Sequence, residues 1–438
     1  MPRCLGLDLG SSSIKAAVLN LETGKVERVV SQPFPGPVAP RPGWFEIDVV
    51  DIANRARSLL AELISDAPDC TRLLTCGQMG GLALVDDRGR PHSPYISWRD
   101  QRSIGPHPAG GTFFDVFRSR LSDRDLDAVG RELRVGSTIV LLSWLVETNQ
   151  RPADELYPVT LVDAVLANLC EAPPVTEPTQ ALGLLELASL THSQPLFDAA
   201  RVPNIRRSRI ATVNDVVGEC RIGPSTLRCH PAVGDQQAAL VGGGLGDDEL
   251  SVNCSTGSQV SRITRDIVAG DYQIRPYFGG RLINTIAQLP AGRSLNVLVD
   301  LLTELARAEG AELTRVWETI ATRSAVEPPE ELNVDLAFFS CPLGDHGAIT
   351  SITTENLTVG AVFRGAFRNM ADNYRLCAER VSNGRPWSRA VLSGGLTNKL
   401  CVLREIIAAR LGSGVRESQE SEETLQGLLT LASDSRAQ

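Results

Sequence analysis

Near its amino end the sequence reads LGLDLGSSS at residues 5–13, and about half a chain later it reads LSVNCSTGS at residues 250–258. Each stretch is an apolar strand that reaches Asp8 or Asn253, then a turn of Gly, Ser and Thr, then a second apolar strand. A repeat at this separation indicates two related domains. The glycine run at residues 242–246 is suited to a hinge. We therefore expect domains over 1–247 and 248–438.

The segments around the first copy predict a mixed α/β domain. Apolar runs at 4–7, 14–19 and 26–31 are typical of strands joined by tight turns. Helical spacing follows at 49–64, with Asp48 or Asp51 as its N-cap, and then a short buried strand at 72–76. Strands followed by helices favour an α/β fold.

Composition narrows the class of protein. The 438 residues carry a net charge of −9 without a dense basic run, so neither nucleic acid nor a membrane is an expected partner. The apolar run at 138–146 is too short to span a bilayer. Ten scattered cysteines and a first segment without signal-peptide features predict a cytoplasmic location.

The two turns are candidate phosphate sites because turns of this kind present backbone N–H groups and hydroxyls to an anion. A single such turn is common in hairpins, but two echoing turns favour phosphate binding. Asp8 would then need a divalent cation between its carboxylate and the phosphates. The alternative is that Asp8 only stabilises the hairpin as an Asx-turn.

Three further segments carry candidate site residues. Asp235, in GDQQ at residues 234–237, could accept a proton from a substrate hydroxyl, or could be a simple helix N-cap. SWRDQR at residues 97–102 pairs an aromatic face with charged groups, as sugar sites often do, although a charged surface turn is the alternative. Gln78 and Met79 end a strand, where the ligand site of an α/β domain is expected.

The segment SGGLTN at residues 393–398 predicts a strand, a glycine turn and a helix over 400–411. Paired glycines allow a ligand ring to approach the backbone, which suits a nucleotide base and ribose. An ordinary strand-to-helix turn is the alternative interpretation.

In their order and spacing, these motifs resemble the FGGY family of carbohydrate kinases over residues 5 to about 431. The resemblance implies two RNase H-like domains of the actin-like ATPase type, with an active-site cleft between them that binds MgATP and a sugar. It implies that Asp235 is the catalytic base and that Asp8 is a catalytic carboxylate near Mg²⁺. The residues that it places near the sugar are Gln78, Met79, Trp98, Asp100 and Arg102. The residues that it places near ATP are Gly10, Ser11, Ser12, Ser13, Lys15, Ser255, Thr256, Gly257, Ser258, Gly394, Gly395 and Asn398.

Within that family, stretches at 138–145, 273–300 and 335–361 look most like the kinases of sedoheptulose, a ketose of the pentose phosphate pathway. Four departures from the family pattern stand out: Gly80 where pentulose kinases often have His, no Lys near Leu141, and altered runs at 341–346 and 423–429. Gly80 counts against xylulose as the acceptor. Ribulose, xylulose and glycerol stay open as alternatives to sedoheptulose. A homodimer also stays open. An actin-like ATPase and a catalytically silent sugar-binding regulator are the alternatives of another class.

Overall fold

The computed structural model describes residues 3–38, 41–326, 330–412, 414–418 and 422–434. The chain divides into two compact units. The first combines Met1–Gly244 with Ile274–Leu282 and Glu420–Gln438, and the second combines Leu245–Gln273 with Ile283–Gln419. These units differ from the expected domains, 1–247 and 248–438, because two later segments group with the first unit.

The described residues form helices in both units, besides a short 3₁₀ helix at Arg102–Ile104. The helices are α1 (Val49–Asp66), α2 (Phe113–Arg118), α3 (Asp123–Ala128), α4 (Thr138–Glu147), α5 (Leu161–Cys170), α6 (Gln194–Ala199), α7 (Asp235–Gly242), α8 (Gly292–Ala308), α9 (Val316–Ser324), α10 (Val359–Ser382), α11 (Gly395–Lys399), α12 (Cys401–Leu411) and α13 (Glu423–Asp434). Each of these helices is too short or too polar to cross a bilayer.

The strands of the described residues fall into two large sheets and several two-stranded pairs. They are β1 (Arg3–Leu9), β2 (Ser13–Asn20), β3 (Lys25–Pro33), β4 (Glu46–Ile47), β5 (Arg72–Gly77), β6 (Ala83–Val85), β7 (Tyr95–Ile96), β8 (Tyr157–Val159), β9 (Val175–Thr176), β10 (Leu185–Glu186), β11 (Thr191–His192), β12 (Arg209–Ile210), β13 (Gly218–Ile222), β14 (Ser225–Cys229), β15 (Val233–Gly234), β16 (Leu250–Asn253), β17 (Ser258–Thr264), β18 (Gln273–Tyr277), β19 (Arg281–Leu289), β20 (Asn333–Asp335), β21 (Ala348–Thr350), β22 (Arg389–Ser393) and β23 (Gly414–Glu417).

The first large sheet has helices on both faces. Its strands follow the order β13-β14-β5-β1-β2-β3, with β15 beside β5. β1 runs antiparallel to β2 and parallel to β5, and β15 also runs parallel to β5. Apolar side chains of α1 and α5 pack on one face, and those of α7 and α13 pack on the other.

The alternation of side chains along β1 determines to which face of this sheet the side chain of Asp8 points. Leu5, Leu7 and Leu9 belong to the core with α1 and α5, whereas Cys4 belongs to the core with α7 and α13. Because successive side chains of a strand point to opposite faces, Asp8 lies on the side of α7 and α13.

The second large sheet repeats the arrangement around its own turn. Its order is β18-β19-β17-β16-β22-β23. β16 runs antiparallel to β17 and parallel to β22, as β1 does to β2 and β5. Buried residues of α10, among them Phe363, Phe367 and Tyr374, belong to the core of the second unit. The echo in the sequence is therefore also an echo of strand pairing.

The structure confirms the mixed α/β class and the strands and helix expected in the first unit. Asp48 is the N-cap of α1, since its carboxylate accepts hydrogen bonds from the N–H groups of Val50 and Asp51. The alternative that Asp235 is an N-cap is wrong. Gly234 occupies that position, and Asp235 is the first residue of α7.

Candidate active site

Parallel strands gather the predicted polar residues of the first unit at one edge of the sheet. Asp8 of β1 and Val233 of β15 both align with Cys76 of β5. The carboxyl ends of parallel strands meet at the same edge of a sheet, so the residues that follow each strand lie together. Gln78 follows β5 and Asp235 follows β15.

The carboxylate of Asp8 is buried and only half satisfied. Its Oδ2 accepts a hydrogen bond from the hydroxyl of Thr424 at 2.7 Å. Its Oδ1 is buried and has no hydrogen-bond partner within the described residues. Burial raises the pKa of Asp8, while the Thr424 hydroxyl and the charge of Lys15 oppose that rise.

Asp235 is held close to neutrality by its surroundings. Burial raises the pKa of Asp235 to about 7, and the negative charge of Asp8 adds to the rise. The backbone N–H of Gln236, 2.7 Å from Oδ1, and the positive charge of Arg275 act in the opposite direction. A carboxylate with a pKa near working pH is suited to accept a proton.

Gln78 connects the first turn to the exposed tryptophan of the site. Its amide Nε2 donates to the carbonyl of Gly10 at 3.4 Å, and its Oε1 accepts from Nε1 of Trp98 at 3.1 Å. Trp98 is 37% exposed, so part of its side chain is accessible. Met79 packs against Gly234, the residue before Asp235, because a Cβ at Gly234 would lie 2.7 Å from the Met79 sulfur.

The side chains of Asp100 and Arg102 are occupied by each other and by their neighbours. Asp100 accepts from the N–H of Phe45 at 2.7 Å and from Nε and Nη2 of Arg102 at 2.9 Å each. Arg102 also pairs with Glu46 at 2.7 Å and stacks 4.0 Å from the centre of the Trp44 ring. A sugar could contact either charged group only by displacing these bonds, and the predicted substrate role stays a prediction.

The first turn, residues 10–13, is partly open. Ser12 is exposed, and its carbonyl accepts from the N–H of Phe34 at 3.0 Å. Lys15, just beyond the turn, pairs with Glu422, its Nζ lying 2.6 Å from Oε2. The predicted phosphate lysine is therefore already neutralised by a carboxylate.

The second turn, residues 255–258, is neutral. Asn253 donates from Nδ2 to Ser393 Oγ at 3.0 Å and accepts from Ser255 Oγ at 2.8 Å. The hydroxyl of Ser258 is buried against that of Tyr374 at 2.7 Å and faces the core. Gly257 is exposed.

A cavity of about 640 Å³ opens beside this second turn, within the second unit. Its lining includes Ser255, Thr256, Asn296, Trp317, Gly395 and Lys399. The volume falls within the range typical of small-molecule pockets. Gly394 has φ +91° and a Cβ there would lie 2.3 Å from the carbonyl of Cys254, so only glycine fits this turn. Asn398 is exposed on α11, outside the lining.

Several residues of the site carry no local signal in the sequence. Thr424 and Glu422 reach Asp8 and Lys15 from the far end of the chain, within the altered run or next to it. Gln180 donates from Nε2 to the carbonyls of Gly77 and Val233, 3.0 Å each, and so joins the two strands that lead to Gln78 and Asp235.

The free Oδ1 of Asp8 fits a divalent cation, since carboxylate oxygens are ligands that Mg²⁺ prefers. The described residues contain no cluster of three or more His, Cys, Asp or Glu side chains able to hold a metal. An ion at Asp8 would therefore complete its shell with water and with phosphate oxygens of a nucleotide, as Mg²⁺ usually does.

Residues 3–254, more than half of the chain, match the model of the FGGY family of carbohydrate kinases, N-terminal domain. The chain belongs to this family. The match covers Asp8, the residues around Gln78 and Trp98, and Asp235, the same positions that the structure gathers at one edge of the first sheet.

The chain is similar to a xylulose kinase of Lactococcus lactis, 24% identical over 316 residues, 68% of this chain and 61% of that protein. It is also similar to a glycerol kinase of Methylorubrum populi, 25% identical over 264 residues, 55% of this chain and 50% of that protein. The chain thus matches less than two thirds of the length of these relatives.

A solved structure of xylulose kinase from Rhodospirillum rubrum has the same fold. The TM-score is 0.85 at 20% identity, over 98% of this chain and 89% of that one. This similarity confirms the expected two-domain fold of the actin-like ATPase type.

Proposed function

We propose that the chain is an ATP-dependent carbohydrate kinase that transfers the γ-phosphoryl group to a primary hydroxyl of a ketose, with sedoheptulose as the first choice. The observation that carries the proposal is the pair of carboxylates, buried Asp8 and half-buried Asp235, at the ends of parallel strands that flank β5. The raised pKa of Asp235, about 7, suits a group that takes the proton from an attacking hydroxyl.

Each group of residues has a proposed part. Asp235 orients the hydroxyl and holds its proton, and Trp98 offers its exposed face to the carbon skeleton of the sugar. Met79 and Gln78 shape the same side, with Asp100 and Arg102 behind them. Asp8 would hold Mg²⁺, which when bound neutralises charge on the phosphates. The backbone of residues 10–13 would bind the phosphoryl group.

The second unit would supply the nucleoside site. Its cavity is large enough for a base and ribose, and its lining joins an indole, Trp317, to the open backbone at Gly395. Ser255 and Thr256 would contact the phosphates, with Gly257, Ser258, Gly394 and Asn398 shaping the turns around them. A base stacked on an aromatic face is a common mode of recognition.

The choice of acceptor rests on the stretches that resemble sedoheptulose kinases and on Gly80. This residue has φ +77°, and an added Cβ would lie 3.4 Å from the Trp98 Cβ, so a larger side chain would be strained there. Xylulose and glycerol are the alternatives, because the similar curated proteins act on those compounds by name. A reducing cytoplasm is the proposed location, in keeping with ten free cysteines.

The test is ATP consumption by the purified protein with Mg²⁺ and a panel of sedoheptulose, ribulose, xylulose and glycerol. Asp235→Ala should lower kcat by about 10²- to 10⁴-fold, because the proton then has no positioned acceptor. Asp345→Asn, at an exposed carboxylate of the second unit, is the matched control and should leave the rate unchanged.

If an acceptor other than sedoheptulose gives the highest rate, the proposed substrate is wrong and the proposed mechanism stands. ATP consumption without any acceptor, at the full rate, would favour an actin-like ATPase. If no acceptor produces ADP above the background of Asp235→Ala, the kinase is ruled out and a sugar-binding regulator is favoured. Light scattering of the same sample tests whether the protein is a homodimer.

A further inference from the structure

Arg99 lies beside the first turn, although the family motifs of the sequence do not assign it a part. Its Nη2 donates a hydrogen bond to the carbonyl of Ser11 at 3.4 Å. The guanidinium is thus hydrogen-bonded to the backbone of residues 10–13, where the phosphoryl group is proposed to bind. Its sequence neighbour Trp98 is part of the proposed sugar site.

The position of Arg99 is fixed from two sides. Its guanidinium carbon lies 4.2 Å from the centre of the Phe45 ring, in a stacked cation–π contact. Its backbone N–H donates to Ser97 Oγ at 3.2 Å. Phe45 is held in turn by Asp100, which accepts its N–H. A guanidinium held in this way loses little side-chain entropy when it binds an anion.

The charge of Arg99 is not neutralised by a carboxylate. Within the described residues no Asp or Glu lies at ion-pair distance from it, and its Nε is buried without a hydrogen-bond partner. Burial lowers the pKa of Arg99, but an arginine stays protonated in proteins. The cation therefore has unused donors in a partly desolvated place, where an anion is bound more strongly than in water.

The neighbouring cations are in the opposite condition. Lys15 pairs with Glu422, and Arg102 pairs with Asp100 and Glu46. Of Lys15, Arg99 and Arg102, only Arg99 has no carboxylate partner within the described residues, so its N–H donors can bind a ligand. A planar guanidinium also matches the geometry of phosphate oxygens.

We infer that Arg99 contacts the phosphoryl group at residues 10–13, as the γ-phosphoryl of ATP before transfer and as the sugar phosphate after it. The inference rests on the proposed kinase function. In that reaction the bond from the γ-phosphorus to the bridging oxygen breaks and its electron pair leaves with ADP. A bond from the sugar oxygen to phosphorus forms, and the hydroxyl proton goes to Asp235. Arg99 exchanges no proton and stabilises the negative charge of the transferred group.

The test compares two nucleotides that differ at the γ-position. The affinities of the native protein, Arg99→Gln and Arg99→Lys for AMPPNP and for ADP are measured by calorimetry with Mg²⁺. Arg99→Gln should weaken AMPPNP binding about tenfold and leave ADP within twofold, as expected for one lost charge-assisted contact. The affinity of Arg99→Lys for AMPPNP should lie between those of the native protein and Arg99→Gln, because lysine keeps the positive charge but lacks the planar donor pair of a guanidinium.

Arg41→Gln is the matched control. Arg41 is an exposed arginine whose guanidinium carbon lies 5.0 Å from the centre of the Trp44 ring, in the same kind of cation–π contact. Arg41→Gln should change the affinity neither for AMPPNP nor for ADP. If Arg99→Gln does not fold, as judged from its melting temperature, the selectivity of Arg99→Lys between AMPPNP and ADP decides the test.

If Arg99→Gln weakens the binding of AMPPNP and ADP equally, or weakens the binding of neither, the inference is overturned and Arg99 only packs against Phe45. A native protein that binds no nucleotide would overturn both the inference and the proposed function. A native protein that shows the selective effect yet phosphorylates none of the acceptors would sustain the inference and refute only the sugar reaction.

Discussion

The two Gly/Ser turns share a strand arrangement but differ in charge. At residues 10–13 the preceding strand carries Asp8, a buried carboxylate with one free oxygen, and Lys15 follows. At residues 255–258 the equivalent residue is Asn253, whose amide is bonded to Ser255 and Ser393. The strand before the first turn thus carries a carboxylate and the strand before the second carries a neutral amide, although Glu318 and Lys399 line the cavity beside the second turn.

This difference indicates a division of work between the copies. Charged groups that are buried and incompletely paired cost folding free energy, and they persist where chemistry uses them. Neutral polar groups that satisfy each other beside a cavity are suited to hold an uncharged ring. The proposed reaction accordingly places phosphoryl transfer at the first turn and nucleoside binding at the second.

The largest effect on the rate is expected from exchanging the polar residue that precedes each turn, Asp8 or Asn253. Asp8→Asn keeps the size of the side chain and its bond to Thr424, but it removes the charge that would hold Mg²⁺. It should lower kcat about 100-fold or more. Asn253→Asp is the reciprocal change and should alter kcat less than threefold. Initial rates at saturating MgATP and sugar measure both, and an Asp8→Asn rate within threefold of native would contradict the division.

The pH dependence of the rate gives the next largest effect. The pKa of Asp235 is raised to about 7, so the base form prevails above that value and is lost below it. kcat/KM for the sugar should therefore be flat at high pH and fall about tenfold per unit on the acid side. In the residual activity of Asp8→Asn the midpoint should move to lower pH, because the charge that raises the pKa of Asp235 is gone. An unchanged midpoint would show that the two carboxylates do not interact.

A change at the second turn should affect the nucleotide and leave the chemistry intact. Gly395 lines the cavity and a Cβ there meets no atom within 4 Å, so Gly395→Val should fold and fill part of the space. We expect KM for ATP to rise about tenfold with kcat nearly unchanged. Gly36→Val, at an exposed loop glycine of the first unit with equal room, is the control. A fall in kcat at constant KM would contradict a nucleoside site there.

Local pattern was sufficient to predict much of the fold. Alternating and helical apolar spacing predicted β1, β2, β5 and α1, because burial of one face imposes those periods. Residue type and position narrowed the N-cap of α1 to Asp48 or Asp51, and the structure shows that it is Asp48. The echo at 250–258 correctly indicated a second copy of the same strand pairing, since both copies preserve the residues that such a turn needs.

The assignment of segments to units could not be predicted in this way. Residues 274–282 and 420–438 group with the first unit although they lie far along the chain. The helix α13 packs with α7 so closely that a Cβ at Gly242 would lie 1.9 Å from the carbonyl of Glu423. Contacts of this kind join residues whose separation leaves no periodic signal in a single sequence.

By itself the sequence determined the residue types and their order: Asp8 and Asp235 at the ends of two strands of the first unit, turns rich in glycine and serine, and an aromatic residue beside charged groups. Only the tertiary structure decided how those groups are paired. Thr424 donates a hydrogen bond to one oxygen of Asp8 from 416 positions away, and Glu422 neutralises Lys15. Arg102 is paired with Asp100 and Glu46, whereas Arg99 keeps its charge unpaired. The physical reason is that the pKa of a carboxyl group and the availability of a cation depend on burial and on neighbours in space, which the folded chain alone brings together.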